Sequence, residues 1–236
     1  MMTDPEALKK LVAREAVREV NDGDVIGLGS GTTIKHFIEE LAKRIRAERI
    51  SVFAVPTSYD TLMLASENGI RLTSLEEHSS LSKCFDGADK VDRNFNMIKG
   101  GGGCHTREKI VISASKLRSI LVDHTKLMDR ITGTQPIPVE IIPFSHKFVD
   151  RKLKEEGGVL KLRYSNSSKM GPVIGDNCGF LGDVNFPEDL DLDYIDSLLN
   201  STPGIIEHGL FLRLADVIYI ANENRVELLK KPKTKA

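Results

Sequence analysis

Apolar residues in the first half of the chain follow two alternating patterns, a short continuous run and a helical stripe. Residues 25–28 form such a run, and the next apolar positions lie at helical spacing: Ile34, Phe37, Ile38, Leu41 and Ile45. The alternation predicts further strands at residues 51–55, 70–72, 81–85 and 120–122, and helices near 3–20, 58–68 and 107–117. Such alternation is typical of a parallel α/β sheet with its site at the carboxyl ends of the strands. The loops after residues 28, 55, 85 and 122 are therefore expected to meet at one edge.

The pattern changes after Asp129. Strands are predicted at residues 137–142, 159–164, 173–174, 179–184 and 205–210, and helices at 144–156 and 189–199. Two helices among several strands indicate a small α+β domain. A strand at 215–220 then returns to the main sheet, so residues 129–205 are predicted to be an insertion into a domain of residues 1–128 and 206–236. The tail from Leu228 is predicted to be solvated and frayed.

Composition and charge narrow the class of protein. The 236 residues carry a formal net charge of −1, which gives no electrostatic support for extended nucleic-acid or anionic-membrane binding. The amino terminus is polar and acidic, and no apolar stretch reaches the length of a membrane span, so a cytoplasmic location is expected. Cys84, Cys104 and Cys178 are widely separated, which predicts reduced thiols and no metal site.

A glycine-rich loop joins the strand at 25–28 to the next helix. Unpaired backbone N–H groups at a helix start favour a phosphate, and Ser30, Thr32 and Thr33 add hydroxyl donors beside Gly31. A tight turn without a ligand is the alternative. The dinucleotide fingerprint requires a glycine where Thr32 stands, which disfavours nicotinamide binding, and the nucleoside-triphosphate loop motif is missing from the sequence.

Two carboxylates follow the strand at 81–85, in the segment Asp86-Gly87-Ala88-Asp89. A loop at the carboxyl end of a strand directs such side chains into a cleft, although aspartates also serve as turn and cap residues. Lys90 and Asp92 are expected to be solvated or paired on the surface.

Lys99 precedes a run of glycines: Gly100, Gly101, Gly102 and Gly103. Four consecutive glycines lose much backbone entropy on folding, so a close approach to that backbone is expected. Their amides, with the charge of Lys99, are suited to stabilise an oxyanion.

Thr106 is predicted to cap the following helix, which places Glu108 in its first turn. The helix dipole there favours an ionised carboxylate, as a general base requires; a surface charge is the alternative. Lys126 follows the strand at 120–122 and either reaches a phosphate at the same edge or is solvated. Cys104 and His105 are expected to fill space beside the glycines.

These motifs together resemble the type A ribose-5-phosphate isomerases. The resemblance rests on residues 27–33, 86–89, 99–102, 106–110, 136–142 and 209–211, in that order. It implies a Rossmann-like parallel α/β sheet domain with an inserted small α+β, ferredoxin-like domain. It also implies an enzyme without cofactor that interconverts ribose 5-phosphate and ribulose 5-phosphate, as a homodimer or homotetramer, in the pentose phosphate pathway.

The resemblance also implies roles for individual residues. Glu108 matches the base that moves a proton between C1 and C2, and Asp86 and Asp89 match the acids that contact the sugar hydroxyls and assist ring opening. Lys99 and the glycines match the segment that stabilises the enediolate. The ligand-contacting positions are Ser30, Gly31, Thr32, Thr33 and Lys126.

The sequence departs from the family pattern at Lys90, at Cys104-His105 and at Thr125. The family has Glu, a small apolar pair and Ser there. Two other classes of function remain to be tested: a sugar-phosphate sensor that does not catalyse, and a nicotinamide dehydrogenase. The sensor would need a partner or DNA-binding module, which the sequence does not show.

Overall fold

A computed structural model describes residues 4–165, 170–223 and 225–232. The predicted helix start at Thr3 and the predicted frayed residues 233–236 lie outside that range. The chain divides into two compact units. The first unit comprises Met1–Ala88, Arg107–Met128 and Leu214–Ala236, and the second comprises Asp89–Thr106 and Asp129–Arg213. This division differs from the predicted one, because residues 89–106 and 206–213 belong with the second unit.

The helices in the described residues are, in chain order, α1 (Pro5–Ala16), α2 (Thr32–Glu48), α3 (Tyr59–Glu67), α4 (His105–Ser113), α5 (His146–Glu155) and α6 (Leu192–Ser201). The strands are β1 (Val25–Leu28), β2 (Phe53–Pro56), β3 (Arg71–Leu72), β4 (Leu81–Asp86), β5 (Lys90–Asp92), β6 (Met97–Ile98), β7 (Ser115–Asp123), β8 (Leu127–Met128), β9 (Ile137–Ile141), β10 (Val159–Leu162), β11 (Phe180–Asn185), β12 (Ile205–His208), β13 (Leu210–Phe211), β14 (Val217–Asn222) and β15 (Arg225–Lys230). None of the helices in the described ranges combines the length and apolar character that a membrane span requires.

The first unit is built on a seven-stranded sheet in the order β15-β14-β7-β4-β1-β2-β3. All its neighbouring strands are parallel except the pair β14 and β15. The parallel sheet places Leu28, Asp86 and Asp123 at the same edge, each at the carboxyl end of its strand. The predicted α/β class and the meeting of these loops at one edge are therefore confirmed.

Apolar side chains on α1 and α2 cover one face of this sheet. Leu8 and Val12 on α1 and Phe37 on α2 are fully or almost fully buried. Phe37 stacks on Phe85 of β4 with ring centroids 4.5 Å apart. This packing fixes β4 immediately before Asp86.

Two predicted elements of the first unit are corrected. Helix α4 ends at Ser113 rather than at residue 117, because residues from Ser115 onward pair with β4, and the Ser115 hydroxyl donates to the Val111 carbonyl 2.8 Å away. The tail is not frayed as far as Lys230, since β15 pairs with β14 along its length and Val226 packs against the core.

The second unit contains a four-stranded antiparallel sheet in the order β10-β11-β9-β12. With α5 and α6, the chain order is strand, helix, two strands, helix, strand, which is the ferredoxin-like arrangement predicted for the insertion. The predicted strand at 173–174 is wrong. Tyr164 pairs with Pro172 and Ile174 pairs with Phe180, and each pair is an isolated β-bridge. Proline has no N–H to donate, so the ladder cannot extend through Pro172.

A smaller structure of short strands carries the glycine run in the second unit. Strand β6 pairs antiparallel with β5 and with β13. The turn between β5 and β6 closes on Asp92, whose carboxylate accepts from the backbone N–H groups of Asn94 and Asn96 at 2.8 and 3.0 Å. Asp92 is fully buried, so its predicted place on the surface is wrong.

Candidate active site

The glycine-rich loop of the first unit opens helix α2. Gly31 is the residue before the helix and has a φ of 96°, a left-handed conformation that glycine adopts without strain. Its carbonyl accepts from the Lys35 N–H at 3.0 Å, as in the first turn of a helix. Gly31 and Thr32 are exposed and Thr33 is half-buried. The 17-residue helix therefore presents its amino terminus to solvent, as an anion site requires.

Ser30 lies in a cluster of hydroxyl groups whose other members no sequence motif predicts. Its Oγ lies 2.9 Å from Thr57 Oγ1, 2.7 Å from Ser58 Oγ and 3.1 Å from Thr61 Oγ1. Thr57 and Ser58 follow β2 at the carboxyl edge of the sheet, so the parallel topology was the signal that could have identified them. The Ser30 hydroxyl is fixed by these contacts rather than free to rotate.

Asp86 ends strand β4 and is fully buried. Its Oδ1 accepts from the Gly87 N–H at 2.7 Å and from the Ser30 N–H at 3.3 Å. A Cβ on Gly29 would lie 1.9 Å from Asp86 Oδ1, so the loop approaches this carboxylate as closely as a glycine allows. The structure thus brings together Asp86 and the predicted phosphate loop.

Glu108 lies in the first turn of α4 and is buried. The helix begins at His105, so Thr106 is inside the first turn and is not the predicted N-cap. The position of Glu108 near the positive end of the helix dipole is as predicted.

Lys126 ends a short 3-10 turn of residues 124–126 that follows β7. Asp123 holds this turn by accepting from the Thr125 N–H at 2.9 Å and from the Thr125 hydroxyl. Lys126 is half-buried, and within the described residues of the first unit it makes no hydrogen bond or ion pair to the Ser30 loop. Its part in binding a phosphate stays a prediction.

Asp89 and Gly101 contact each other in the second unit. The Gly101 N–H donates to Asp89 Oδ2 at 2.7 Å, and the Asp89 N–H donates to the Ile98 carbonyl at 2.9 Å. A Cβ on Gly101 would lie 2.7 Å from Asp89 Oδ1. Asp89 therefore rests against the backbone of the glycine run, with Ala88 just before it in the chain.

Lys99 follows β6 and is only 3% exposed. Its N–H donates to the Gly209 carbonyl at 2.9 Å, and its ammonium lies 5.7 Å from the centroid of the Phe211 ring. A Cβ on Gly209 would lie 2.0 Å from the Lys99 carbonyl oxygen, which explains a glycine at that position. Lys99 is thus held by a hydrogen bond of its backbone and by the contact of its ammonium with the Phe211 ring.

The glycine run forms a tight turn. Gly103 N–H donates to the Gly100 carbonyl at 2.9 Å, and the φ angles of Gly100 and Gly103 are 102° and 79°. Gly101 and Gly102 at the centre of the turn are exposed. His105 is fully buried and lies under Gly100, where a Cβ would come within 2.6 Å of its Nδ1, so it fills space beside the glycines as predicted.

Two further side chains of the second unit, Arg163 and Glu140, contact predicted site segments, and no local motif in the sequence marks them. Arg163 donates to the carbonyls of Gly100 and Gly101 and is paired with Asp183. Glu140 is fully buried on β9 and accepts a hydrogen bond from the Thr106 hydroxyl at the start of α4. Among the described residues, no group of three or more His, Cys, Asp or Glu side chains is arranged to hold a metal ion.

The chain is similar to ribose 5-phosphate isomerases A, both in the family model it matches and in its curated relatives. The family model of ribose 5-phosphate isomerase A (phosphoriboisomerase A) matches residues 53–225. Ribose-5-phosphate isomerase A of Methanothermobacter thermautotrophicus is 44% identical over 94% of this chain and 97% of its own length. That of Methanocaldococcus jannaschii is 43% identical over 96% of this chain and 99% of its own.

Solved structures agree with these relatives. The structure of ribose 5-phosphate isomerase A from Methanocaldococcus jannaschii superposes with a TM-score of 0.91 at 42% identity and covers 97% of this chain and 100% of that one. A D-ribose-5-phosphate isomerase in complex with phospho-erythronic acid has the same TM-score at 37% identity, with 97% and 100% coverage. On the family model, the relatives and the shared fold, the chain belongs to the ribose 5-phosphate isomerase A family.

Proposed function

We propose that the chain interconverts D-ribose 5-phosphate and D-ribulose 5-phosphate through an enediolate, with Glu108 as the general base. The observation that carries this proposal is the buried Glu108 in the first turn of α4, in a chain that is 44% identical to a ribose-5-phosphate isomerase A over 94% of its length. The positive end of a helix dipole favours the charged form of a carboxylate, which is the form that a general base requires.

The reaction is a proton transfer between two carbons. The Glu108 carboxylate removes the proton from C2 of the open-chain aldose, and the electrons move through the C1–C2 bond onto the carbonyl oxygen. Glu108 then returns the proton to C1, while the C2 hydroxyl becomes the ketone as its proton moves to the oxygen on C1. The steps balance without an oxidant or a metal ion.

The other residues have separate parts in this proposal. Lys99 and the N–H groups of the glycine run stabilise the negative oxygen of the enediolate. Asp86 and Asp89 bind the sugar hydroxyls and assist ring opening. The loop of Ser30, Gly31, Thr32 and Thr33 binds the phosphate at the start of α2, with Lys126 as a second contact.

We also propose the setting in which this reaction takes place. The chain acts in the cytoplasm, as a homodimer or homotetramer, in the non-oxidative pentose phosphate pathway. Its partner is a small phosphosugar rather than a nucleic acid or a membrane, in keeping with the net charge of −1.

Ketose formation from ribose 5-phosphate, measured with a chelator present, tests the activity. In D₂O we expect the ribulose 5-phosphate to carry deuterium at C1, because an enediolate route exposes the moving proton to solvent, whereas an internal hydride shift does not. Binding of ribose 5-phosphate without any ketose would instead identify a sensor that does not catalyse.

Glu108→Gln tests the assignment of the base. The variant should bind substrate and lose roughly 10²- to 10⁴-fold in kcat, the range that general-base catalysis contributes. Glu67→Gln, on the exposed end of α3, is the matched control and should turn over normally. Near-normal turnover by Glu108→Gln would overturn the assignment of Glu108 while leaving the isomerase activity to be explained.

A further inference from the structure

Arg163 holds the glycine run from its carbonyl side. The residue follows β10, and its Nη1 donates to the Gly100 carbonyl at 2.8 Å and to the Gly101 carbonyl at 3.1 Å. Its backbone is fixed as well, since its N–H donates to Leu181 at 2.9 Å and its carbonyl accepts from Val173 at 2.8 Å. One guanidinium nitrogen therefore binds two successive peptide carbonyls of the turn.

This contact determines where the N–H groups of the turn point. The described residues contain no cis peptide bond, and in a planar trans peptide the C=O and N–H groups point in opposite directions. Because the carbonyls of Gly100 and Gly101 both face Arg163, the N–H groups of Gly101 and Gly102 both face away from it. The Gly101 N–H on that side donates to Asp89 Oδ2 at 2.7 Å, so the Gly102 N–H is the amide of this pair that is directed to a ligand.

Asp183 fixes the orientation of the guanidinium. Arg163 Nε donates to Asp183 Oδ2 at 2.8 Å and Nη2 donates to Oδ1 at 2.6 Å, a bidentate pair between β11 and the residue after β10. The side chains are 20% and 30% exposed, so the pair is partly shielded from water. The rigid fork of arginine leaves Nη1 aimed at the glycine carbonyls, an arrangement that the single ammonium of lysine does not reproduce.

We propose that Arg163, oriented by Asp183, is a positioning residue that sets the N–H group of Gly102 for the negative oxygen of the reaction, beside the Gly101 N–H that binds Asp89. Glycine backbone has many accessible conformations, so a turn of glycines requires support from outside to keep an amide aligned. A charged donor on each carbonyl also polarises the peptide, which strengthens the N–H at its other end. The inference rests on the proposed isomerase function and assigns two residues to the support of its oxyanion site.

Three variants separate orientation from charge. Arg163→Lys keeps the charge and loses the fork, Arg163→Met loses both, and Asp183→Asn weakens the pair while it removes a negative charge. If Arg163 acted only as a distant positive charge, Asp183→Asn should strengthen the binding of an anion. If orientation matters, Asp183→Asn should weaken it by about 3- to 10-fold, as expected when one arm of a charge-assisted pair is lost.

Two ligands report on the oxyanion site without turnover. Phospho-erythronic acid carries a planar carboxylate, and erythritol 4-phosphate carries a CH₂OH group in its place. We expect Arg163→Lys to weaken binding of the acid by about tenfold and binding of the alcohol by less than about twofold, because only the acid needs the aligned Gly102 amide. The same variant should lower kcat by about 10- to 100-fold with a small change in KM, as for a group that acts on the transition state.

Arg118→Lys is the matched control. Arg118 forms a bidentate pair with Asp216 at 2.8 and 2.7 Å, and their side chains are 26% and 23% exposed. The control should lose the same kind of pair and leave both ligand affinities unchanged. Equal weakening of the acid and the alcohol by Arg163→Lys, or tighter binding of the acid by Asp183→Asn, would overturn the inference.

The ligand measurements also separate this inference from the proposed function. Failure of the wild-type chain to form ketose would refute the proposed function. A selective loss of affinity for the acid in Arg163→Lys would still establish the positioning role. Normal ketose formation by all three variants would remove the inference alone.

Discussion

Each unit holds its own predicted site residues in a different way. In the first unit, Asp86 ends a parallel strand and accepts hydrogen bonds from the backbone of its own loop and of the neighbouring one. In the second unit, the turn of Gly100 and Gly101 is held by side chains, from Arg163 on one side and Asp89 on the other. One support is built from sheet geometry and the other from charged side chains.

This difference changes what a substitution should do. A group placed by the backbone of a sheet moves only if the sheet moves, so disturbing it affects folding and function together. A turn placed by side chains loses its alignment when one partner is shortened, even if the rest of the unit keeps its structure. We therefore expect substitutions in the first unit to lower stability and turnover together. Substitutions in the second unit should be able to lower turnover without lowering stability.

The largest expected effect is that of Gly29→Ala in the first unit. The added methyl would lie 1.9 Å from Asp86 Oδ1 and 2.7 Å from its Cα, so the backbone must shift. Overpacking of this kind costs about 1–3 kcal/mol or more, which for a chain of this size corresponds to a Tm lower by roughly 2–12 °C. Because Asp86 moves too, we expect turnover to fall at least about 100-fold, since small displacements of a positioned group have that effect.

Gly102→Ala makes the matching change in the second unit. No atom lies within 4 Å of a Cβ there, so we expect the Tm to stay within about 1 °C. Thermal unfolding of the two variants, measured beside turnover, tests the comparison directly. Equal changes in Tm would show that the first unit is no more tightly coupled than the second.

A smaller effect is expected at the buried carboxylate of Glu140. It accepts from the Thr106 hydroxyl, from Asn177 Nδ2 at 3.0 Å and from the Gly179 N–H at 3.1 Å. The first of these bonds ties strand β9 to Thr106, which precedes Glu108 by two positions in the chain. Thr106→Val keeps the shape and loses the donor, so we expect turnover to fall about tenfold, with a loss of ~1.5–3 kcal/mol for a hydrogen bond to a charged group.

Thr106→Ser is the control for this prediction, because it keeps the hydroxyl. We expect its turnover to stay within about twofold of wild type, since the hydrogen bond is retained. Hydrogen exchange across α4 would show whether the first turn opens more often in the valine variant. If valine and serine behave alike, the hydroxyl does not hold the turn.

Much of the fold could be predicted from the sequence, because burial imposes a period on the chain. The strand at residues 25–28 has the bounds of β1, and the change of pattern after Asp129 marks the ferredoxin-like strands and helices. The end of α4 was missed because Ile110, Val111 and Leu117 also fit a helical spacing, and only pairing with β4 makes residues 115–117 a strand. Two-residue strands such as β6 are too short to show any period.

The candidate site was predictable where its parts are local in sequence. Asp86 and the Ser30 loop could be named because each follows a strand, and parallel strands bring their carboxyl ends together. Arg163 could not, since it lies 63 positions from Gly100 and contacts the glycine run only through carbonyl groups, which every residue has. A side chain that supports the backbone leaves no pattern in the residues it supports.

The smallest expected effect is a loss of stability at acidic pH, which should differ between the two units. In the first unit, burial raises the pKa of Asp216, but hydrogen bonds from the side chain and backbone of Arg118 outweigh it and hold the pKa below its usual value. Burial likewise raises the pKa of Asp24, and hydrogen bonds from Lys83 and the Asn21 backbone again lower it overall. In the second unit, the pKa of Asp193 is lowered by a hydrogen bond from Arg213, but this carboxylate is exposed on the surface.

A carboxylate with a lowered pKa in the folded state stabilises the protein above its unfolded pKa, and that stability is lost as the pH falls through the folded value. We therefore expect the free energy of unfolding of the first unit to fall more steeply than that of the second from about pH 5 to pH 3, by ~1 kcal/mol for each partly buried pair. Asp216→Asn should lower stability at pH 7 and flatten this slope, whereas Asp193→Asn should change neither. Hydrogen exchange at several pH values resolves the two units in one experiment. Parallel slopes for the two units would mean that the partly buried pairs of the first unit contribute no more than the surface pair of the second.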